Sequence, residues 1–214
     1  MKKAICALMA AGAALTLATP APAAMNNGAS VREIYEAARC FVDRDRRAAV
    51  ALISSLPIDG EGADASILPE GARRCGSALA SADTLHLRGA IAQALFFRDF
   101  RGVGLEPRRS VPLVNLNLPV QSSPPGTGSV ELYRWADCVV RNDANRTERL
   151  LSSSPGSRAE EAAIERLRAF MSACAAEGSQ LAVQPSELRS LLAQSVYHSM
   201  YRYWTDQLSP VRDQ

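Results

Sequence analysis

The sequence predicts an all-α fold: two tandem four-helix repeats in a pseudo-two-fold relation, with one disulfide in each repeat. Three observations carry this. First, residues 33–57 and 131–155 align at a constant offset of 98 with 10 identities in 25 positions, among them Tyr35/Tyr133, Cys40/Cys138, Asp45/Asp143 and Pro57/Pro155. Second, a later block matches again, Leu87–Gln93 (LRGAIAQ) against Leu188–Gln194 (LRSLLAQ). Third, apolar residues recur at helical spacing through both copies. Self-similarity at this period points to a duplicated supersecondary unit.

Taken in order, residues 1–24 read as a secretory signal peptide. Lys2 and Lys3 form the charged start, Ala4–Ala18 the apolar stretch, and Ala21 and Ala23 an A-x-A signal, so cleavage is expected after Ala23 or Ala24. This places the mature chain in a periplasm or outside the cell, with no membrane span in the mature form. Repeat 1 is expected over 30–100. Val31, Ile34, Tyr35, Ala38, Phe41 and Val42 share one helical face, Asp45 stands where an N-cap opens a short second helix, and Pro57 follows as a stop. The stretch Ile58–Gly71 is rich in Gly and Asp, so a third helix is expected only from near Leu68. A fourth runs from Leu87 through Phe100.

Residues 101–128 form a Pro-rich strap or linker. Val114, Leu116, Leu118 and Val120 alternate with polar residues or proline, an extended half-buried pattern expected to lie over an apolar groove. Repeat 2 is expected over 129–205: Leu132, Tyr133, Ala136, Val139 and Val140 repeat the first stripe, and Asp143 repeats the cap. Ser157 and Glu160 make an S-x-x-E capping box for the third helix, with a stop near Gly178. Ser186, after Pro185, opens the fourth, and residues 206–214 are expected to fray. The first helix of each repeat is expected to be its most contacted element.

Four cysteines remain after the leader. Cys40 and Cys75 are 35 apart, Cys138 and Cys174 are 36 apart, so each repeat carries its own pair. The expected disulfides are Cys40–Cys75 and Cys138–Cys174, each stabilising by roughly 4 kcal/mol in the chain-entropy model. There is no C-x-x-C and no His near these residues, so neither a zinc site nor a redox pair is expected, and no cofactor.

The net charge of +2 comes from Lys2 and Lys3, the only lysines; without the leader, 22 Arg balance 22 acids. A nucleic-acid partner needs surplus positive charge, so none is expected. Nucleophile elbows, H-E-x-x-H helices and phosphate-cradling loops are absent from the sequence. His86 and His198 do not align with each other across the repeats. His198, beside Tyr197, Tyr201 and Tyr203, is the candidate general base if the chain is a hydrolase. Trp135, Trp204 and these tyrosines are expected to anchor the contact between repeats, with an external partner as the competing explanation.

Arg88/Arg189 and Gln93/Gln194 are polar residues kept in both copies. Two readings compete: a candidate recognition surface displayed twice for a partner, or arginines that satisfy helix-end carbonyls or an acid of their own repeat, with glutamines bonding backbone. We favour the second.

The pattern Tyr133-x-x-Ala136-x-Cys138-Val139-Val140, then Leu150-Leu151, Pro155-Gly156, Cys174 and Leu188-Arg189, resembles a group of uncharacterised exported bacterial proteins built from a cysteine-bearing helical repeat. The resemblance covers both repeats, the second more fully. It implies export and an all-helical, disulfide-linked fold, and no activity. The functional expectation is an exported, non-enzymatic module that binds a protein or envelope partner. The alternative is a carrier of a small apolar ligand between the repeats, and a hydrolase using His198 comes after both.

Overall fold

The computed structural model describes residues 29–54, 68–100, 102–103, 129–175 and 183–208. Among these, every regular element is a helix: α1 (Val31–Arg44), α2 (Arg46–Ile53), α3 (Glu70–Arg73), α4 (Ala78–Ser81), α5 (Thr84–Asp99), α6 (Ser129–Asn142), α7 (Ala144–Ser152), α8 (Arg158–Cys174) and α9 (Pro185–Leu208). The expected leader, the stop expected at Pro57, the apolar alternation at 114–120 and the stop expected near Gly178 lie outside the described residues.

Local chemistry explains where these helices start. Ser30 and Glu33 make a reciprocal capping box on α1: the Glu33 amide donates to Ser30 Oγ at 3.3 Å and the Ser30 amide to Glu33 Oε2 at 2.7 Å. Those bonds from Ser30 hold the Glu33 carboxyl below its ordinary range. The duplicated aspartates do duplicated work. Asp45 Oδ1 accepts the Ala48 amide at 3.0 Å to open α2, and Asp143 Oδ1 accepts the Arg146 amide at 2.9 Å to open α7. Asp83 opens α5 by accepting the His86 amide at 2.9 Å, so this helix starts at Thr84, ahead of the Leu87 start expected from the apolar pattern. Its carboxylate also holds His86 Nδ1 at 2.7 Å, and this contact lowers the Asp83 pKa. Pro185 begins α9, where a missing N–H costs nothing. The last helix continues to Leu208, past the boundary expected at 205.

Both disulfides pair as the spacing of the copies indicates, Cys40–Cys75 and Cys138–Cys174, each with Cα atoms 5.7 Å apart. Two such bonds fit an oxidising, extracytoplasmic compartment. Among the described residues no helix is long and apolar enough to cross a membrane. What the two bridges hold differs. Cys174 ends the 17-residue α8, whereas Cys75 sits in a turn between two one-turn helices, α3 and α4. The third helix expected in repeat 1 is therefore broken. Gly76 follows Cys75 with φ of 104°, a left-handed conformation that ends a right-handed helix, and neither α3 nor α4 has a side-chain cap.

α5 and α9 pack against each other at the centre. α1 and α2 lie on α5; α6 and α7 lie on α9; α3 and α4 rest on α1, and α8 on α6 and α7. The most contacted elements are thus α5 and α9, not the first helix of each repeat. The reason is visible in their burial: every side chain of α9 from Leu188 to Met200 is buried, and in α5 every one from His86 to Phe96 except half-buried Gln93. A helix with neighbours all round shows no single apolar stripe.

The aromatic residues divide differently from expectation. Trp135 does not reach across the centre; its indole Nε1–H donates to the Met171 carbonyl at 2.9 Å, which fastens α6 to α8. Tyr197 of α9 does meet the end of α5, with its ring 6.0 Å from that of Phe100. Tyr201 stands exposed beside it. The side chains of Tyr203 and Trp204 lie outside the described set.

Candidate functional site

The residues singled out as a recognition surface converge on the α5–α9 seam. Arg88, Arg189 and Gln194 are buried and Gln93 is half-buried. Arg189 Nε donates to Glu160 Oε1 at 2.6 Å. Its two terminal nitrogens donate to the carbonyls of Leu150 at 2.8 Å, Leu151 at 3.2 Å and Ser153 at 3.0 Å, and to Gln93 Oε1 at 3.0 Å. The guanidinium also stacks over the Tyr35 ring, 5.6 Å from its centre. One arginine thus closes the C-terminal carbonyls of α7, holds the first-turn acid of α8 and reaches across to α5. Glu160 was legible as a helix-capping acid, yet its second oxygen passes over the cap residue to the Gly156 amide.

Arg88 repeats part of this on the other side. Its NH1 donates to the Leu52 carbonyl, at the end of α2, at 2.7 Å, and its Nε to Gln194 Oε1 at 3.2 Å. Gln194 Oε1 also accepts the Tyr133 hydroxyl at 2.7 Å. Burial holds the Arg88 guanidinium below the usual arginine range. The contacts cross over: the arginine of each half meets the glutamine of the other, Arg88 with Gln194 and Arg189 with Gln93. Of the two tyrosines, Tyr35 crosses: it packs under Arg189 and bonds Ser190 Oγ at 3.2 Å, whereas Tyr133 bonds Gln194 of its own half. Burial pushes both phenols up to about 12.

At the crossing the backbones nearly touch. A Cβ on Gly89 would stand 2.4 Å from both Cα and Cβ of Ser190. That leaves no room for a ligand at this point between α5 and α9. Sequence reasoning passed over Gly89, although its mismatch with the aligned Ser190 inside LRGAIAQ was a usable signal.

An open concavity lies on the outer side of the second half. Asn145, Glu148, Arg149, Ser152 and Ser153 of the α7 region face Ala159, Ala163 and Arg166 of α8 across a groove of about 520 Å³. Its floor is small and apolar at Ala163, and its rim carries two exposed arginines and one glutamate. Nothing in the sequence separates these residues from an ordinary solvated helix face, because the groove exists only where α7 and α8 diverge. A second hollow, of about 410 Å³, lies between α1 and the turn bearing Cys75, with Glu33 and Glu36 on its edge.

His198 is buried in α9, its ring edge-on to Tyr197 at 6.0 Å. His86 is buried at the start of α5 against Asp83. Among the described residues no three His, Cys, Asp or Glu side chains are grouped as a metal site would need. Comparison of the chain with protein-family models, with curated proteins and with solved structures finds no match.

Proposed function

We propose that this chain is an exported, non-catalytic binding module made of two fused copies of one disulfide-stapled helical unit, and that the α7–α8 groove receives a polar segment of a protein partner in the cell envelope. The observation that carries the reading is the placement of the polar residues shared by both copies. Arg88, Arg189 and Gln194 are buried and Gln93 is half-buried, and together they join α5 to α9. Recognition is then left to the outer helices, and the groove rimmed by Arg149, Arg166 and Glu148 is open to solvent. Its paired arginines suit carboxylates on the partner.

The copies are α1–α5 and α6–α9, related by a pseudo-two-fold axis passing near Gly89 and Ser190. The crossed hydrogen bonds support this, since a two-fold axis carries Arg88–Gln194 onto Arg189–Gln93. A crystal structure in which α1, α2 and α5 fail to superimpose on α6, α7 and α9 would end that part of the reading. The contact between Gly89 and Ser190 weighs against the carrier of an apolar ligand, which needs space between the copies.

The test places a photo-crosslinking residue at Ser152 in the groove and, as control, at exposed Arg39 on α1. The Ser152 variant, expressed with its leader, is expected to capture an envelope protein, and Arg149→Glu is expected to abolish the adduct. No adduct at Ser152, or an equal one at Arg39, defeats the proposal.

A further inference from the structure

The α5–α9 seam carries information beyond its stability, and it does so through one asymmetric position. The aligned residues at the crossing differ, glycine in the first copy and serine in the second. With glycine on one side the helices approach until its absent Cβ would overlap the backbone Cα of Ser190. A serine on both sides would place each Cβ in the other helix's backbone. Pairing of α9 with a second α9 at this crossing is therefore sterically closed, whereas α5 with α9 is open. Moving a backbone atom is far costlier than turning a side chain.

The polar groups around the crossing do not discriminate. Each copy presents one arginine and one glutamine, and each arginine meets the opposite glutamine. Register is thus set by the Arg–Gln bonds, and Gly89 against Ser190 excludes the pairing of α9 with α9. Neither disulfide crosses the seam: Cys40–Cys75 lies within the first half and Cys138–Cys174 within the second. Only the chain between Asp99 and Ser129 joins the halves covalently. Those 29 residues span up to about 95 Å when extended, far more than the distance between touching helices.

We infer that the α5 face of one chain accepts the α9 face of a second copy of this chain through the same Gly89–Ser190 crossing, giving an exchanged dimer with two native seams. All bonds of the seam are reproduced in such a dimer, so the closed monomer is favoured only by the effective concentration its connection supplies. The inference rests on the seam alone and is independent of the α7–α8 groove.

Complementation between two full-length variants tests it. Gly89→Leu blocks the α5 face and leaves α9 intact; Ser190→Leu blocks α9 and leaves α5 intact. Leucine keeps good helix propensity in both. Neither variant can close its own seam. Mixed in equal amounts, they are expected to form a one-to-one heterodimer in native mass spectrometry, through the unaltered Gly89 of one chain and Ser190 of the other. A Gly89→Leu chain that dimerises with itself overturns the inference, because its free α9 face would then pair with another α9. So does a mixture that gives no heterodimer. A second measurement needs no variant. Unlabelled and isotope-labelled wild-type chains, unfolded together with disulfides intact and refolded at high concentration, are expected to yield a mixed-label dimer. Monomers alone at every concentration overturn the inference.

Discussion

Arg189 and Glu160 form an ion pair at 2.6 Å with the arginine fully buried, joining the second turn of α9 to the first turn of α8. A buried pair of this kind is a poor source of net stability, because desolvation offsets the attraction; removing one partner is the costly event. Here the loss reaches further, since the same guanidinium satisfies three carbonyls at the end of α7. Arg189→Met is expected to destabilise by about 3–5 kcal/mol in denaturant unfolding. Arg189→Lys is expected to recover only part of that, since an ammonium cannot span Glu160, Gln93 and the carbonyls together.

Gly89→Ala introduces a Cβ at 2.4 Å from two atoms of Ser190. Alanine is favoured over glycine in a helix by about 1 kcal/mol, but overpacking of this kind costs about 1–3 kcal/mol. The backbone contact puts the variant at the upper end, so net destabilisation is expected. Thermal unfolding of Gly89→Ala alone and combined with Ser190→Gly measures it, and the double variant is expected to regain part of the loss. Equal stability of Gly89→Ala and wild type would contradict the close crossing.

Alkaline pH is expected to loosen the molecule through Tyr35 and Tyr133. Both phenols titrate at about 12 when folded, raised by burial, against about 10 in the unfolded chain. Between those values the unfolded state releases protons that the folded state keeps. The stabilisation is complete below pH 10 and is lost as pH rises toward 12. The melting temperature followed from pH 8 upward is expected to hold level and then fall. Phenolate absorbance of these two residues is expected to appear only with unfolding.

The two disulfides are expected to differ in what their removal releases. In the Cys40→Ser/Cys75→Ser variant, hydrogen exchange is expected to speed up across 70–81, because α3 and α4 are single turns that cannot persist alone. In Cys138→Ser/Cys174→Ser, α8 is expected to stay protected, held by the Trp135 bond to Met171 and by Glu160 on Arg189. Each loss is expected to cost up to about 4 kcal/mol.

The asymmetry between the halves shows where the sequence was readable. Val31, Ile34, Tyr35, Ala38, Phe41 and Val42 sit at a helix–core boundary, so their spacing announced α1. Asp45, Asp143 and Ser157 act on amides three residues away, and such contacts are written in the local order of the chain. The same holds for the cysteine pairing, because the cysteines fall into two pairs of nearly equal separation, 35 and 36 residues. By contrast, α5 and α9 hid their role. A helix buried on every side has no face to announce, and Gln93 and Gln194 read equally well as surface or core.

The chain by itself determined helical class, the caps that open α2, α7 and α8, and the partners of its cysteines, because each depends on neighbours in sequence or on a similar segment at a fixed distance. Only the tertiary structure decided that Arg88, Arg189 and Gln194 face inward, that Gly89 is the point of closest approach, and that Arg149 and Arg166 share the rim of a groove. Those facts arise where helices far apart in sequence cross or diverge, and the geometry of a crossing is set by packing, which no single stretch of residues contains.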